Sequence, residues 1–263
     1  MSEKRKTVAL VLGAGGARGA CHVGVIKSLL KHDIPIDFIT GSSMGAVVGG
    51  VYASGLDINE VETRFKKIKM TDIMDVGLRV IRDGGFFVGN KSKRVIAKHL
   101  VAKTFEETKI PFKCVSVDLV SGKPIIIDSG PLDEGIRASI GIPGVFQPVK
   151  KDGMLLVDGG VLCRVPIGAA ETFNPDIIIA VDALGKQTVY QEKNPNVFQV
   201  LFRMFELLDW KNAKKELSRS NVLITPDMPD ISQFSTKGVA MAIDLGEKAT
   251  DAKIKKIKQL LEK

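Results

Sequence analysis

Histidine is scarce in this chain. Only His22, His32 and His99 occur among 263 residues, and none follows residue 99. Metal centres and catalytic triads draw heavily on histidine, so both start from a thin supply. Cysteine is equally sparse: Cys21, Cys114 and Cys163 lack metal-ligand spacing and cannot all pair with one another. They read as core residues of a protein kept in a reducing, cytoplasmic compartment. Aromatic residues make up 6% of the chain. None interleaves with the basic clusters as a base-stacking surface requires, which argues against a nucleic-acid partner. No apolar run is long enough to span a bilayer, and there is neither an internal repeat nor a low-complexity linker.

Positive charge is in excess, at a formal +8, with clusters at 66–69, 91–94, 211–215 and 253–263. A solvated charged surface is the first reading, and peripheral attraction to an anionic membrane the second. The N-terminal twenty residues have the basic start and apolar run of a signal peptide. That run is short and broken by Gly13, Gly15 and Gly16, so it reads better as a buried strand entering a glycine loop.

Short β-rich runs alternate with helix-period segments. Strands are expected at 7–12, 37–40, 112–119, 124–128, 154–157, 177–182 and 222–224. Helices are expected at 17–31, 44–54, 58–68, 91–102, 133–140, 166–173, 197–208 and 239–261. The alternation predicts an α/β fold with three layers, a mostly parallel central sheet with helices on both faces, in a single domain over 1–263. The segment NPNVFQVLFRMFELLDW is apolar around most of its circumference. It reads as packed core, with a flap over a lipid cleft or an oligomer surface as alternatives. The last helix is expected to lay one face on the domain, with contact to a membrane surface as the alternative.

Ser43 sits in ITGSSMGAVVGG, between Gly41 and Gly45 in a G-x-S-x-G pattern. An apolar run precedes it and a helical segment follows. Strand, sharp turn and helix is the arrangement that exposes a serine nucleophile. The flanking glycines allow backbone segments to approach, and the helix N-terminus favours negative charge near Ser43. The plain alternative is a phosphate-binding or structural Gly-Ser turn. Acyl transfer also needs donors for an oxyanion. The first strand delivers LGAGGARG at 12–19, where Gly15, Gly16 and Ala17 look like amide donors. Gly19 closes that loop, and Arg18 holds its shape or meets an anionic headgroup. A dinucleotide fingerprint starting at Gly13 needs glycine where Arg18 stands, and a P-loop needs an absent Gly-Lys pair. No cofactor or metal is expected.

A serine needs a base. A triad in the order serine, acid, histidine leaves only His99, on a helix without turn chemistry. All three histidines read as structural, and a carboxylate can serve instead. Two Asp-Gly-Gly triplets supply one: Asp83 in IRDGGFF and Asp158 in LLVDGGVLCRVP. Asp158 is preferred because it ends a strand-like run, with Gly159 and Gly160 turning the chain after it.

Four ordered pieces, LGAGGARG, GSSMG, RASIGIPGVFQPV and LVDGGVLCRVP, together resemble the patatin-like phospholipase family. They span roughly 7–172, leaving 173–263 as an extension like that of the family's small bacterial-type members. The resemblance implies a Ser–Asp dyad without histidine, with Ser43 as nucleophile, Asp158 as general base and Gly15, Gly16 and Ala17 at the oxyanion. It implies a lipid acyl hydrolase acting on fatty-acyl esters through an acyl-enzyme, with a lipid or acyl ester as partner. An acyltransferase or thioesterase on the same dyad, or a regulatory protein on this scaffold, are the alternatives. The oligomeric state is left open. Two positions depart from the family pattern: Ala14, where glycine is common, and Cys163, where asparagine is common.

Overall fold

Strand β1 (Val8–Leu12) is apolar at every position and buried at every position. Its side chains alternate between two cores, as the two-residue period of a strand dictates. Val8, Leu10 and Leu12 join a large cluster, while Ala9 and Val11 join a smaller one with Val165, Ile167 and Ile178. A strand apolar on both faces belongs inside a sheet covered on both sides. The computed structural model describes residues 5–68, 72, 75, 84–185, 195, 197–228, 231–233 and 236–262.

Among these residues the other strands are β2 (Phe38–Ser42), β3 (Gly85–Phe87), β4 (Phe112–Asp118), β5 (Lys123–Ile127), β6 (Gly144–Phe146), β7 (Val149–Lys151), β8 (Met154–Asp158), β9 (Ile177–Val181) and β10 (Val222–Ile224). The helices are α1 (Cys21–Lys31), α2 (Met44–Ala53), α3 (Ile58–Lys67), α4 (Asn90–His99), α5 (Leu132–Ser139), α6 (Ile167–Glu171), α7 (Val197–Leu217), α8 (Val239–Asp251) and α9 (Ile254–Glu262). The main sheet runs β10–β9–β1–β2–β4–β8–β7, with β5 also on β4. The first five strands are parallel to one another; β5, β8 and β7 each run antiparallel to their partners. The protein is a mixed α/β fold with a central sheet flanked by helices.

Strand β4 has three partners and two edges. Strand β5 pairs with Cys114 to Asp118, overlapping both the stretch held by β2 and the stretch held by β8. Strands β2 and β8 therefore share the opposite edge of β4, end to end. Ser42 pairs with Val115, and Asp158 pairs with the next residue, Ser116. Because β8 runs against β4, the C-terminal ends of β2 and β8 face each other.

Several boundaries differ from the sequence expectation. Strand β2 continues through Ser42 and delivers the chain directly into Ser43. The expected helix at 17–31 opens with a 3-10 turn, Gly16–Ala20, before α1. The expected helix at 239–261 is two, broken at Ala252–Lys253, where Lys253 N–H donates to Thr250 O at 2.7 Å in a tightened last turn. Helices α1 and α8 cross closely enough that a Cβ at Gly24 would overlap the Ile243 carbonyl, and one at Gly246 the Cys21 carbonyl. The 197–208 segment is helical and extends to Leu217, but it is not packed core throughout. Val200, Met204, Leu207 and Leu208 are exposed, while Asp209 and Ala213 point inward. Short strands β3, β6 and β7 are absent from the expectation: three residues carry little periodicity, and these contain glycine or lysine where the equally short β10 is wholly aliphatic.

Candidate active site

Ser43 occupies the turn between β2 and α2 with φ 54° and ψ −122°. A non-glycine residue there carries strain of about 1–3 kcal/mol. The surroundings impose it: a Cβ at Gly45 would overlap the Leu12 carbonyl, and one at Gly41 would strike the backbone of Ala46. Ser43 Oγ donates to Asp158 Oδ2 at 2.7 Å. The histidine-free pair is buried, Ser43 at 6% and Asp158 at 5% exposure.

Asp158 is held by the turn that follows it. Its Oδ1 accepts from Gly160 N–H at 2.7 Å, and its own N–H donates to Gly141 O at 2.9 Å. A Cβ at Gly159 would overlap the Val115 carbonyl. Burial pushes the Asp158 carboxyl up to about 6, against the pull of its hydrogen bonds from Ser43 and Gly160. A carboxylate with that value is ionised at neutral pH and still basic enough to take a proton.

The segment RASIGIPG braces both residues. Ser139 Oγ accepts from Ser43 N–H at 3.0 Å and donates to Val115 O at 2.7 Å. Sequence reading missed Ser139 and Gly141 as parts of the site. Their only signal was membership of the third family-like segment.

The glycine loop lies alongside. Gly16 has φ 53°, a conformation suited to glycine. The Gly15 and Gly16 amides have no hydrogen-bond acceptor among the described residues. Ala17 differs from its sister positions: its amide donates to Gln233 O at 2.8 Å and is already engaged. Arg18 Nε donates to Ile231 O at 2.6 Å. The 231–233 segment thus clamps the loop from the C-terminal extension, which no local pattern announced. A Cβ at Gly19 would strike the Met44 side chain. Underneath, His22 Nε2 meets Gly13 O at 2.7 Å. Burial pushes this imidazole down to about 4, so it is neutral and donates from Nε2 to the carbonyl. His32 pairs with Asp251, and His99 Nδ1 accepts from Arg64 Nη1 at 3.2 Å.

Both departures from the family pattern are absorbed by backbone. Ala14 N–H donates to Arg164 O at 2.8 Å, and Ala14 is not among the positive-φ residues, so its methyl is tolerated. The turn at Cys163 closes through Cys163 N–H to Gly159 O at 2.8 Å without a side-chain amide. Asp83, the rival carboxylate, lies outside the described residues.

Ser43, Asp158, Gly15 and Gly16 border a cavity of about 510 Å³. Its walls are almost wholly apolar, with Val47, Val51, Phe65, Ile96, Ile142 and Phe146 prominent. Asp209 of α7 also lines it. Asp209 and Asp182 flank the buried Arg164 guanidinium, each at 2.9 Å. Two carboxylates against one cation leave an excess of negative charge, and burial pushes the Asp209 carboxyl up to about 6. Among the described residues, no group of three or more His, Cys, Asp or Glu side chains is placed to hold a metal. Nor is any helix long and apolar enough to cross a membrane.

The site thus joins a serine on a strand–helix turn, a buried carboxylate in contact with it and the Gly15–Gly16 loop beside an apolar cavity. The family model for patatin-like phospholipases matches residues 10–171, and the chain belongs to that family. It is 40% identical over 191 residues to an uncharacterized NTE family protein of Mycobacterium tuberculosis, covering 72% of this chain and 53% of that one. It is 33% identical over 180 residues to a lysophospholipase of Emericella nidulans, covering 67% of this chain and 12% of the fungal protein. The chain thus spans about half the mycobacterial relative and a small part of the fungal one. Among solved structures, VipD from Legionella pneumophila superposes with a TM-score of 0.59 at 14% identity, covering 98% of this chain and 67% of that one, a likeness of fold alone.

Proposed function

We propose that this protein hydrolyses fatty-acyl esters of lipids through a Ser43–Asp158 dyad. The observation that carries the reading is the 2.7 Å hydrogen bond from Ser43 Oγ to Asp158 Oδ2 at the wall of an apolar cavity. Family membership and a fungal relative named lysophospholipase support a lipid ester as substrate. The acyl chain lies in the apolar cavity, with its carbonyl carbon over Ser43.

Ser43 Oγ attacks that carbon while its proton passes to Asp158 Oδ2. The carbonyl oxygen becomes an oxyanion and takes the Gly15 and Gly16 amides, which have no acceptor among the described residues, within the positive field at the N-terminus of α2. Collapse breaks the ester bond, and the proton on Asp158 goes to the leaving alkoxide. An acyl-enzyme remains. Water then gives a proton to Asp158 and attacks the acyl carbon; collapse breaks the bond to Ser43 Oγ, the Asp158 proton returns to that oxygen, and the fatty acid is released.

Labelling with a fluorophosphonate, read by intact mass and peptide mapping, tests this. Wild type takes one label at Ser43, Ser43→Ala takes none, and Asp158→Asn labels far more slowly. Either substitution lowers ester turnover by roughly 10³-fold or more. A folded wild type that takes no label, with or without lipid vesicles, refutes the dyad and leaves a regulatory role on this scaffold.

A further inference from the structure

Helix α7 presents two unlike faces. Asp209 and Ala213 are buried, and Asp209 borders the cavity that holds Ser43. On the opposite side Val200, Met204, Leu207 and Leu208 are between 42% and 60% exposed. At about 100° per residue these four fall within an arc of roughly 100°, centred away from Asp209. Scattered exposed apolar residues need no explanation, but a continuous stripe along one helix does. The same stripe runs on into Lys214 and Lys215, both exposed. The acidic side chains of the following turn face elsewhere: Asp209 meets Arg164, and Glu216 meets Arg219 and Cys163. Beside α7, the turn that follows Asp158 carries a further exposed leucine, Leu162, at 45%.

From this we infer that the outer face of α7 is a docking surface for an anionic lipid bilayer. The apolar stripe enters the boundary between headgroups and acyl chains, and Lys214 and Lys215 engage anionic headgroups at its end. Charge decides the occupant. An apolar stripe alone also suits a second copy of the chain, but a stripe ending in lysines on a chain of formal charge +8 repels its own copy and attracts an anionic surface. Position agrees, because the opposite face of the same helix borders the cavity. A lipid held at the outer face lies about one helix diameter, ~10 Å, from the chamber with Ser43. The Arg164–Asp209 ion pair fixes α7 to the core, so docking orients the cavity relative to the bilayer. The inference rests on the lipid-ester reading for its purpose, but the surface is measured independently of turnover.

The test is co-sedimentation with phosphatidylcholine vesicles, with and without phosphatidylglycerol, in the Ser43→Ala background so that no lipid is consumed. The chain binds the mixed vesicles, binds phosphatidylcholine alone more weakly, and loses binding as salt rises. Leu207→Gln/Leu208→Gln lowers partitioning on the order of 10-fold or more. Lys214→Ala/Lys215→Ala lowers it by about five-fold per lysine on the anionic vesicles only. With Ser43 present, both double variants hydrolyse a soluble short-chain ester at the wild-type rate. Failure of that hydrolysis in every form would tell against the proposed activity, not the surface. Wild type that ignores vesicles, or a leucine variant that binds them undiminished, overturns the inference. So does a dimer by light scattering that the leucine variant dissolves, which would make the stripe an interface between copies.

Discussion

Ser43 Oγ lies 2.7 Å from Asp158 Oδ2, across 115 residues of sequence, at the point on one edge of β4 where β2 and β8 both end. The contact is a consequence of register. Ser42 pairs with Val115 and Asp158 with Ser116, so the two strand ends are one residue apart on a shared partner. Ser139 then ties the Ser43 amide to Val115 O, linking Ser43 and the strand in one short network.

The raised Asp158 carboxyl sets two pH dependences. In the proposed dyad Asp158 must be ionised to act as base, so kcat/KM on a soluble ester is expected to rise with pH through an apparent value near 6 and level off above it. Stability runs the other way. The folded-state value lies above the ordinary 3.8, so the contribution of this group is fully present below about pH 4 and is lost as pH rises through 6. Asp158→Asn is therefore more stable than wild type above pH 6, by about 2–3 kcal/mol. Thermal melts from acid to neutral pH check this, and the gap closes at the acid end.

Gly16→Ala tests the oxyanion loop. The position has φ 53° and faces Gln233 O, so alanine displaces the amide as well as straining it. We expect kcat to fall on the order of 10²-fold, the size of one lost oxyanion donor. Gly122→Ala is the control: φ is also positive, at 68°, but open space surrounds the position. That variant keeps wild-type steady-state kinetics.

Ser139→Ala removes the acceptor of the Ser43 amide and the donor to Val115 O. The hydroxyl touches neither substrate nor proton, so its effect is on the aim of Ser43. We expect kcat to fall about 10-fold, in line with a single buried hydrogen bond. The rate of fluorophosphonate labelling falls with it, while KM for a short ester is unchanged. A shift in melting temperature without the kinetic loss would make Ser139 purely structural.

Arg164→Met strands Asp182 and Asp209 as buried carboxylates without their cation. The expected loss of stability is about 3–5 kcal/mol at pH 8. Acid relieves it, because protonation removes the unpaired charges. Denaturant melts at pH 5 and pH 8 read the difference, with the larger loss at pH 8.

Much of this arrangement is legible without coordinates, and for local reasons. The strand–turn–helix at Ser43 and the glycine loop after β1 are each encoded within about a dozen residues. Apolar runs mark the strands, and glycines mark the places where backbones meet. The alternating elements point to the α/β sheet for the same reason. What sequence reading missed is what distant segments do to these local units. Ala17 reads as an oxyanion donor from the sequence, but its amide donates instead to the carbonyl of Gln233, more than two hundred positions later. The α7 segment counted as core because its composition is apolar; composition does not say that Asp209 faces inward and Leu208 outward.

The sequence by itself determined which side chains have the chemistry. It offers a serine on a sharp turn, amides in a glycine loop, no histidine with turn chemistry around it, and aspartates before paired glycines. Only the tertiary structure decided which of these meet and with what proton affinity. Strand register on β4 brings Asp158 to Ser43, and burial, a property of the assembled surroundings, moves its carboxyl to about 6. Hydrogen bonds and apolar periodicity act over a few residues, whereas register, desolvation and the facing of a helix are set by contacts between segments far apart in the chain.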